Sequence, residues 1–296
     1  MGSLLASPVS SLPTRRESAW QTGGHSWSSV FTCLAPQIRT VSSRTSICAG
    51  ISERDIYKQL LLHLPRLPWN GLRDPLRISR EAERLAEVLL KDRKGFESWA
   101  CQPKVPVLNK PDATVRPCEP DVAKEIHQRF HYVRSYHEGP VHLGLFLHDY
   151  PETPAALASF SHMDIKHLDW LFDSAEAKER VLVLTRLFAF DWAPHNSISY
   201  LLGQVSRWTK RNFPRVSSLL TYLNPNLGFT GSSFLAANWH AFLEKCTTYW
   251  YFRDTYITNR RLHSLPASAL TRVTHSLYEL DPLKMLRYDV NGESGL

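Results

Sequence analysis

Three groups of residues have the types and spacing for chemistry. His127 and His131 stand four apart in EPDVAKEIHQRFHY, where Val122, Ile126 and Phe130 repeat at four-residue steps and predict a helix. That spacing puts both imidazoles on one face, where they either clip a metal ion or pack as ordinary helix histidines. No cysteine or carboxylate stands at a telling ligand distance, so no metal is expected. Tyr132 follows directly, and a His131–Tyr132 pair at a helix end, beside the polar segment VRSYHEGP, could exchange a proton near neutral pH.

Arg186 forms the second group. It lies inside VLVLTRLFAF, a predicted strand over 181–190, on the alternating face that carries Leu182 and Phe190. A guanidinium on an apolar face needs a partner, either a ligand phosphate or carboxylate or a structural carboxylate elsewhere. The third group is Asn196, Ser197 and Ser199, which open a predicted helix from about Asn196 to Phe213 directly after that strand. A helix N-terminus carries unpaired N–H groups and partial positive charge, so this junction reads as a pyrophosphate cradle or simply as helix capping.

The elements that must position these groups alternate between strand and helix from Thr114 onward, as a mixed α/β domain requires. VRPC predicts a strand, and LGLFLH and AALASFSH predict a hairpin across DYPETP. SLLTYL predicts another strand, followed by the loop NPNLGFTG, the short helix SSFLAANW and strand material in TTYWYF. Upstream, Ser79 predicts the cap of a helix that Gly95 stops, and the proline-marked stretch 103–111 reads as a linker. Residues 1–50 hold eleven serines, four arginines and one glutamate without apolar periodicity. They read as a disordered leader, with an organelle transit peptide as the alternative. The expected organisation is a leader over 1–50, a small helical segment and linker over 51–110, the α/β domain over 111–265 and a C-terminal extension over 266–296.

The 296 residues are 43% hydrophobic and 21% charged, which excludes a wholly disordered, collagen-like or coiled-coil chain. No apolar run approaches the length of a membrane span, so no membrane partner is expected. Five scattered cysteines form no C-x-x-C pair, which points away from disulfides and towards a reducing, cytoplasmic setting. The net charge of +7 is polarised. Residues 112–179 carry 6 basic and 12 acidic residues, whereas 180–261 carry 10 basic and 3 acidic. The basic half suits a phosphate-rich ligand, coenzyme or nucleic acid, or forms an ordinary solvated face. Trp192, Phe229, Trp239, Tyr249, Trp250 and Tyr251 could stack on a base or pack the core.

The segments FHYVRSY, LTRLFAFDWAPHNSIS and LTYLNPNLGFTGSSFLAANW carry a further signal. From about Val115 to His263 the chain resembles the GNAT superfamily of N-acetyltransferases, and is most similar to its Mom-like branch of phage DNA-modification proteins. The resemblance implies a mixed sheet splayed between its central strands, with acetyl-CoA or another acyl-CoA held in the split. It implies DNA as the acceptor, its adenine exocyclic amine being converted to a carbamoylmethyl derivative. On the matching positions it assigns His131, Tyr132 and Asn224 to catalysis, and Arg186, Asn196, Ser197, Ser199 and Phe234 to the coenzyme. Asn224 stands where the branch carries Asp, and Phe234 where it carries Tyr. An amide has no useful pKa near neutrality, and a phenyl ring cannot give a proton to a departing thiolate. A small-molecule N-acyltransferase and a non-catalytic nucleic-acid-binding module are the alternative functions.

Overall fold

The computed structural model describes residues 34–41, 50–63, 75–162, 177–245, 250–252, 255–257, 265–270, 274–275 and 282–291. Residues 34–41 form helix α1, followed by α2 (Glu53–His63) and α3 (Pro75–Arg93). Leu34, Ile38 and Val41 recur at helical spacing and are buried with Ile56 and Leu60 of α2 and Ile78 and Leu85 of α3. Part of the expected leader is therefore packed, because one apolar face docks a short helix on its neighbours. Residues 1–33 and 42–49 of that leader lie outside the described residues. Helix α3 also begins before Ser79. Pro75 opens it at a position where a missing N–H costs nothing, and Gly95, at φ 88°, follows its end as expected.

The next elements are β1 (Ala113–Pro117), α4 (Pro120–Arg129), β2 (Val141–Leu147), β3 (Ala156–His162), β4 (Val181–Ala189), α5 (Ser197–Asn212) and β5 (Ser218–Leu223). Then come β6 (His240–Lys245), β7 (Trp250–Phe252), β8 (Thr255–Ile257), β9 (Thr274–His275) and β10 (Leu283–Asp289). Seven strands form one sheet in the order β1-β2-β3-β4-β5-β10-β6, and β8-β7-β9 form a second. Only β4 and β5 pair in parallel in the large sheet, with α5 as their crossover. Strand β10 lies between β5 and β6, so the C-terminal segment completes the sheet rather than extending from it. The architecture is the expected GNAT-like mixed sheet.

Helices cover both faces of this sheet, which is why β2 and β3 read as nearly continuous apolar runs. Phe160 and Leu184 are cross-strand partners and share the face whose core includes Leu201, Leu202 and Val205 of α5. His142, Ser159 and Arg186 line up on the opposite face, beneath α4. Outside α4 lies the helical unit of α1, α2 and α3, through the packing of α3 on α4. Among the described residues no helix is long and apolar enough to cross a membrane.

Candidate functional site

Strands β4 and β5 pair from Val181–Ser218 to Leu184–Thr221 and then part. The Thr221 hydroxyl donates to Leu184 O at 3.0 Å and closes the last paired rung. Beyond it Thr185–Ala189 continue, half-buried, without a β5 partner. The register with β3 slips at the same point: Phe160 faces Leu184, Ser159 faces Arg186, and Thr185 is the extra residue of a β-bulge. The bulge turns Arg186 away from the Leu182 and Leu184 face, against the alternation read from the sequence, and onto the face of Ser159 and Phe188.

The loop leaving β4 is braced by the supposed linker. Val105 N–H donates to Trp192 O at 3.0 Å, and His195 N–H to Pro106 O at 3.5 Å. Asn196, at φ 67°, adopts the left-handed conformation that asparagine tolerates, and α5 starts there. Its side chain makes no capping bond. Ser197 is buried, and its hydroxyl donates to Pro194 O at 2.7 Å; the Ser199 hydroxyl donates to Asn196 O at 3.0 Å. Both serine hydroxyls therefore close the turn itself, which leaves the N–H groups of Ile198 and Ser199 at the mouth of α5 for an anion.

Arg186 finds its partners on the segment after α4. Its Nη2 donates to Ser135 Oγ at 2.9 Å, Nε to Ser135 O at 3.2 Å and Nη1 to Thr185 O at 2.7 Å. The guanidinium thus clamps the 131–140 segment onto the unpaired half of β4. Gly139 permits the close approach, since a Cβ there would lie 1.8 Å from Phe160 O. His131 is buried at the start of this segment. Its Nδ1 accepts Val133 N–H at 3.2 Å, and the ring also bonds to the Leu187 backbone. Burial, then His127, Arg186 and Lys58, hold its pKa well below the ordinary value, so it is neutral at pH 7. Tyr132 packs against His131 at 4.6 Å and Phe229 at 5.5 Å between ring centroids.

A polar chain missed in the sequence runs beneath α4. Ser159 Oγ lies 2.7 Å from His127 Nε2 and 2.8 Å from His142 Nδ1, and Tyr136 OH lies 3.0 Å from His142 Nε2. All but Tyr136 are buried. His127 is held down to about 3 by burial first, then by Arg186 and His142; burial also lowers His142. The two histidines therefore diverge: α4 ends at Arg129, their rings sit edge to face at 5.8 Å, and His127 serves this chain while His131 serves the loop. Among the described residues no group of three His, Cys, Asp or Glu could hold a metal ion. Ser159→Ala leaves two buried imidazole nitrogens unpaired, and each buried unsatisfied group costs about 1–3 kcal/mol. Urea unfolding of that variant is expected to show a loss of roughly 2–4 kcal/mol with an unchanged m-value.

Residues 112–288 match the profile of the Mom protein family. The chain belongs to the Mom family. No curated protein matches it. Among solved structures it is similar to Arabidopsis thaliana NAA60 in complex with acetyl-CoA, at 10% identity over 60% of this chain and 99% of that one, with a TM-score of 0.40. It is also similar to an N-acetyltransferase from Staphylococcus aureus Mu50, at 12% identity over 61% and 99% with a TM-score of 0.34. A GNAT-family acetyltransferase from Streptococcus pneumoniae matches at 11% identity over 60% and 98%, with a TM-score of 0.33.

The Mom region holds β4, β5, the 131–140 segment and the loop after β5, whereas α1, α2 and α3 precede it. These helices reach the site nonetheless. Leu227, from the loop that Asn224 opens, is buried in their core, and Phe229 and Tyr132 pack against it. Lys58 of α2 stands over both rings, 4.4 Å from the Phe229 centroid and 5.3 Å from that of Tyr132. Burial and Arg54 lower its pKa to about 8, against the pull of Asp55 and Asp191. No motif marks Lys58 in the sequence; only its helical offset from Asp55 was legible.

Phe234 is buried in the sheet core against Trp239, with ring centroids 5.3 Å apart. Trp192 and Trp239 are core residues too, while Phe229 is half-buried. Tyr249 and the side chains of Trp250 and Tyr251 lie outside the described residues. Cys101 and Cys118 are free thiols.

Proposed function

We propose that this Mom-family protein is an acyl-CoA-dependent transferase whose acceptor is the exocyclic amine of adenine in DNA. The observation that carries the reading is the parting of β4 from β5 at Leu184–Thr221, with β4 running on to Ala189. A strand edge opened within a sheet offers backbone groups to an extended ligand, and the first turn of α5 offers N–H groups to a pyrophosphate. Both features fit an acyl-CoA. The N–H groups of Ile198 and Ser199, presented by the left-handed turn at Asn196 that Ser197 closes, would hold its pyrophosphate, and Phe234 would back its pantetheine arm. Bound there, the thioester supplies an electrophilic carbonyl.

The chain's own residues orient and protonate. Arg186 holds the 131–140 segment against the split. His131, whose Nδ1 accepts Val133 N–H, is a positioning residue that fixes the backbone carrying Tyr132. The Tyr132 hydroxyl would return a proton to the departing thiolate, the task a phenyl ring at Phe234 cannot perform. Free N–H groups on β4 would stabilise developing negative charge on the acyl oxygen. Asn224, without an ionisable group, would shape the Pro225–Leu227 turn, whose Leu227 N–H donates to Asn224 O at 3.2 Å.

DNA as the acceptor is supported by the Mom-family membership and by the basic balance of residues 180–261. A base modified on its exocyclic amine must leave the stack to enter such a site. Expression of the intact chain in bacteria, followed by mass spectrometry of digested nucleosides, tests this. An altered deoxyadenosine is expected, and it should vanish with Arg186→Ala. Unaltered DNA from a folded, acyl-CoA-binding protein would contradict the DNA assignment and move the acceptor to a small amine.

A further inference from the structure

Helix α2 precedes the Mom region, yet two consecutive residues of it hold Tyr132. Gln59, 6% exposed, donates its Nε2–H to Tyr132 O at 2.5 Å. Lys58, half-buried, sets its ammonium over the Tyr132 and Phe229 rings, 5.3 and 4.4 Å from their centroids. Helix α3 adds Arg93, whose Nε donates to Arg129 O at 3.2 Å at the end of α4, and the ion pair of Asp92 with Arg134. The segment after α4 is thus held twice over. Arg186 clamps Ser135 from β4, and α2 and α3 fix Tyr132 and Arg134 from the helical unit.

The two contacts from α2 differ in kind. A bond to a backbone carbonyl fixes position alone, whereas a cation on a phenol ring also acts on charge. When a tyrosine gives up its proton it becomes a phenolate, and its attraction to a neighbouring cation strengthens from cation–π to charge–charge. Two cations flank Tyr132. Lys58 stands on the α2 side, and on β4 stands Arg186, whose charge burial disfavours and Tyr132 supports.

The charge of Lys58 is not taken up elsewhere. Among the described residues it makes no hydrogen bond and no ion pair. Arg54 and Asp55 face it from its own helix, Asp191 from the end of β4, and His131 and Tyr132 from the segment after α4. Of the two carboxylates, Asp55 is bonded to Arg93 at 3.0 Å and Asp191 lies beyond ion-pair distance. His131 is neutral at pH 7, whereas Lys58, with a pKa of about 8, is cationic there.

We propose that Lys58 is a positioning residue for the transfer step: its ammonium, seated on the Tyr132 ring, stabilises the phenolate that forms when the Tyr132 hydroxyl hands its proton to the departing thiolate. The inference rests on the transferase reading and deepens it by making α2 part of the site. Tyr132 gives its proton to sulfur as the thioester C–S bond breaks and the acyl–nitrogen bond forms. It recovers a proton from the acceptor nitrogen, so the step balances. A lysine that only covered the two rings could be replaced by methionine, whose stem packs on the same faces. The proposal requires the charge.

Fluorine NMR of the full chain carrying trifluorotyrosine in place of Tyr132 tests the pair without coenzyme or acceptor, because that phenol ionises near neutrality. Its ionisation midpoint is expected to rise by at least about half a pH unit in Lys58→Met and to return towards the starting value in Lys58→Arg, both with wild-type circular dichroism. An unmoved midpoint in Lys58→Met, or an equal rise in Lys58→Arg, would overturn the proposal. In chains with natural tyrosine, thiol release from acetyl-CoA on DNA should fall at least tenfold in kcat in Lys58→Met, with the KM for acetyl-CoA unchanged. Thiol release by the wild-type chain with an unmoved midpoint removes the role of Lys58 alone. A shifted midpoint without thiol release by the wild-type chain removes the transferase reading and leaves only the charge pair.

Discussion

Acidification from about pH 7 to about pH 5 is expected to destabilise this protein by about 2 kcal/mol or more. The cause is the buried histidine set beneath α4. His127 titrates near 3 in the folded chain against 6.5 when exposed, and His131 and His142 are lowered in the same direction. Below 6.5 the unfolded chain takes up protons that the folded chain refuses, so it binds more protons and stability falls as pH falls. The contribution is intact above the unfolded pKa and is lost progressively towards the folded one. His127, held to about 3, gives a slope of about 1.4 kcal/mol per pH unit below 6.5, roughly 2 kcal/mol by pH 5, and His131 and His142 add to it in the same direction, against a total stability of about 5–15 kcal/mol. Denaturant titrations at stepped pH check this. A flat stability between pH 7 and 5 would contradict the burial of the Tyr136–His142–Ser159–His127 chain.

The second large effect is on activity. Arg186→Ala is expected to reduce turnover at least a hundredfold, about 2.7 kcal/mol of lost transition-state stabilisation. The substitution removes three hydrogen bonds at once and frees Ser135, and with it the segment carrying His131 and Tyr132, from the open edge of β4. Arg186→Lys should recover only part, because an ammonium cannot span Ser135 Oγ, Ser135 O and Thr185 O as the planar fork does. Amide hydrogen exchange over residues 131–140 should quicken in both variants, more in the alanine one. Wild-type turnover in Arg186→Ala would remove the clamp from the account.

The sequence made the framework legible where one period dominates. The alternation in 181–190 and the helical spacing of Ile198, Leu201, Leu202 and Val205 led directly to β4 and α5. What escaped it was set by tertiary register. Nothing local announces that Thr185 is the extra residue of a bulge, yet that single insertion decides which face Arg186 occupies. Strand β10 lies far along the chain from its partner β5, so no local pattern draws it into the sheet. The residues 34–41 were hidden by a serine-rich setting, although Leu34, Ile38 and Val41 already had the spacing of a buried face. Within the site the His127–His131 spacing did not hold as one helix face, because α4 ends at Arg129 and His131 opens the following segment. The role of His127 came from cross-strand neighbours, Ser159 and His142, contributed by other strands. Lys58 and Arg93 became part of the site only through the packing of α2 and α3 on the Mom region.

Calorimetric titration of the full chain with acetyl-CoA tests the central claim most directly. A one-to-one complex is expected in wild type and in Asn196→Gly, which keeps the left-handed turn at α5. Asn196→Val, which cannot adopt φ 67° without strain, should bind at least tenfold more weakly. Absence of heat in the wild-type chain, or equal binding by all three proteins, would contradict a coenzyme held between β4 and β5 at the start of α5.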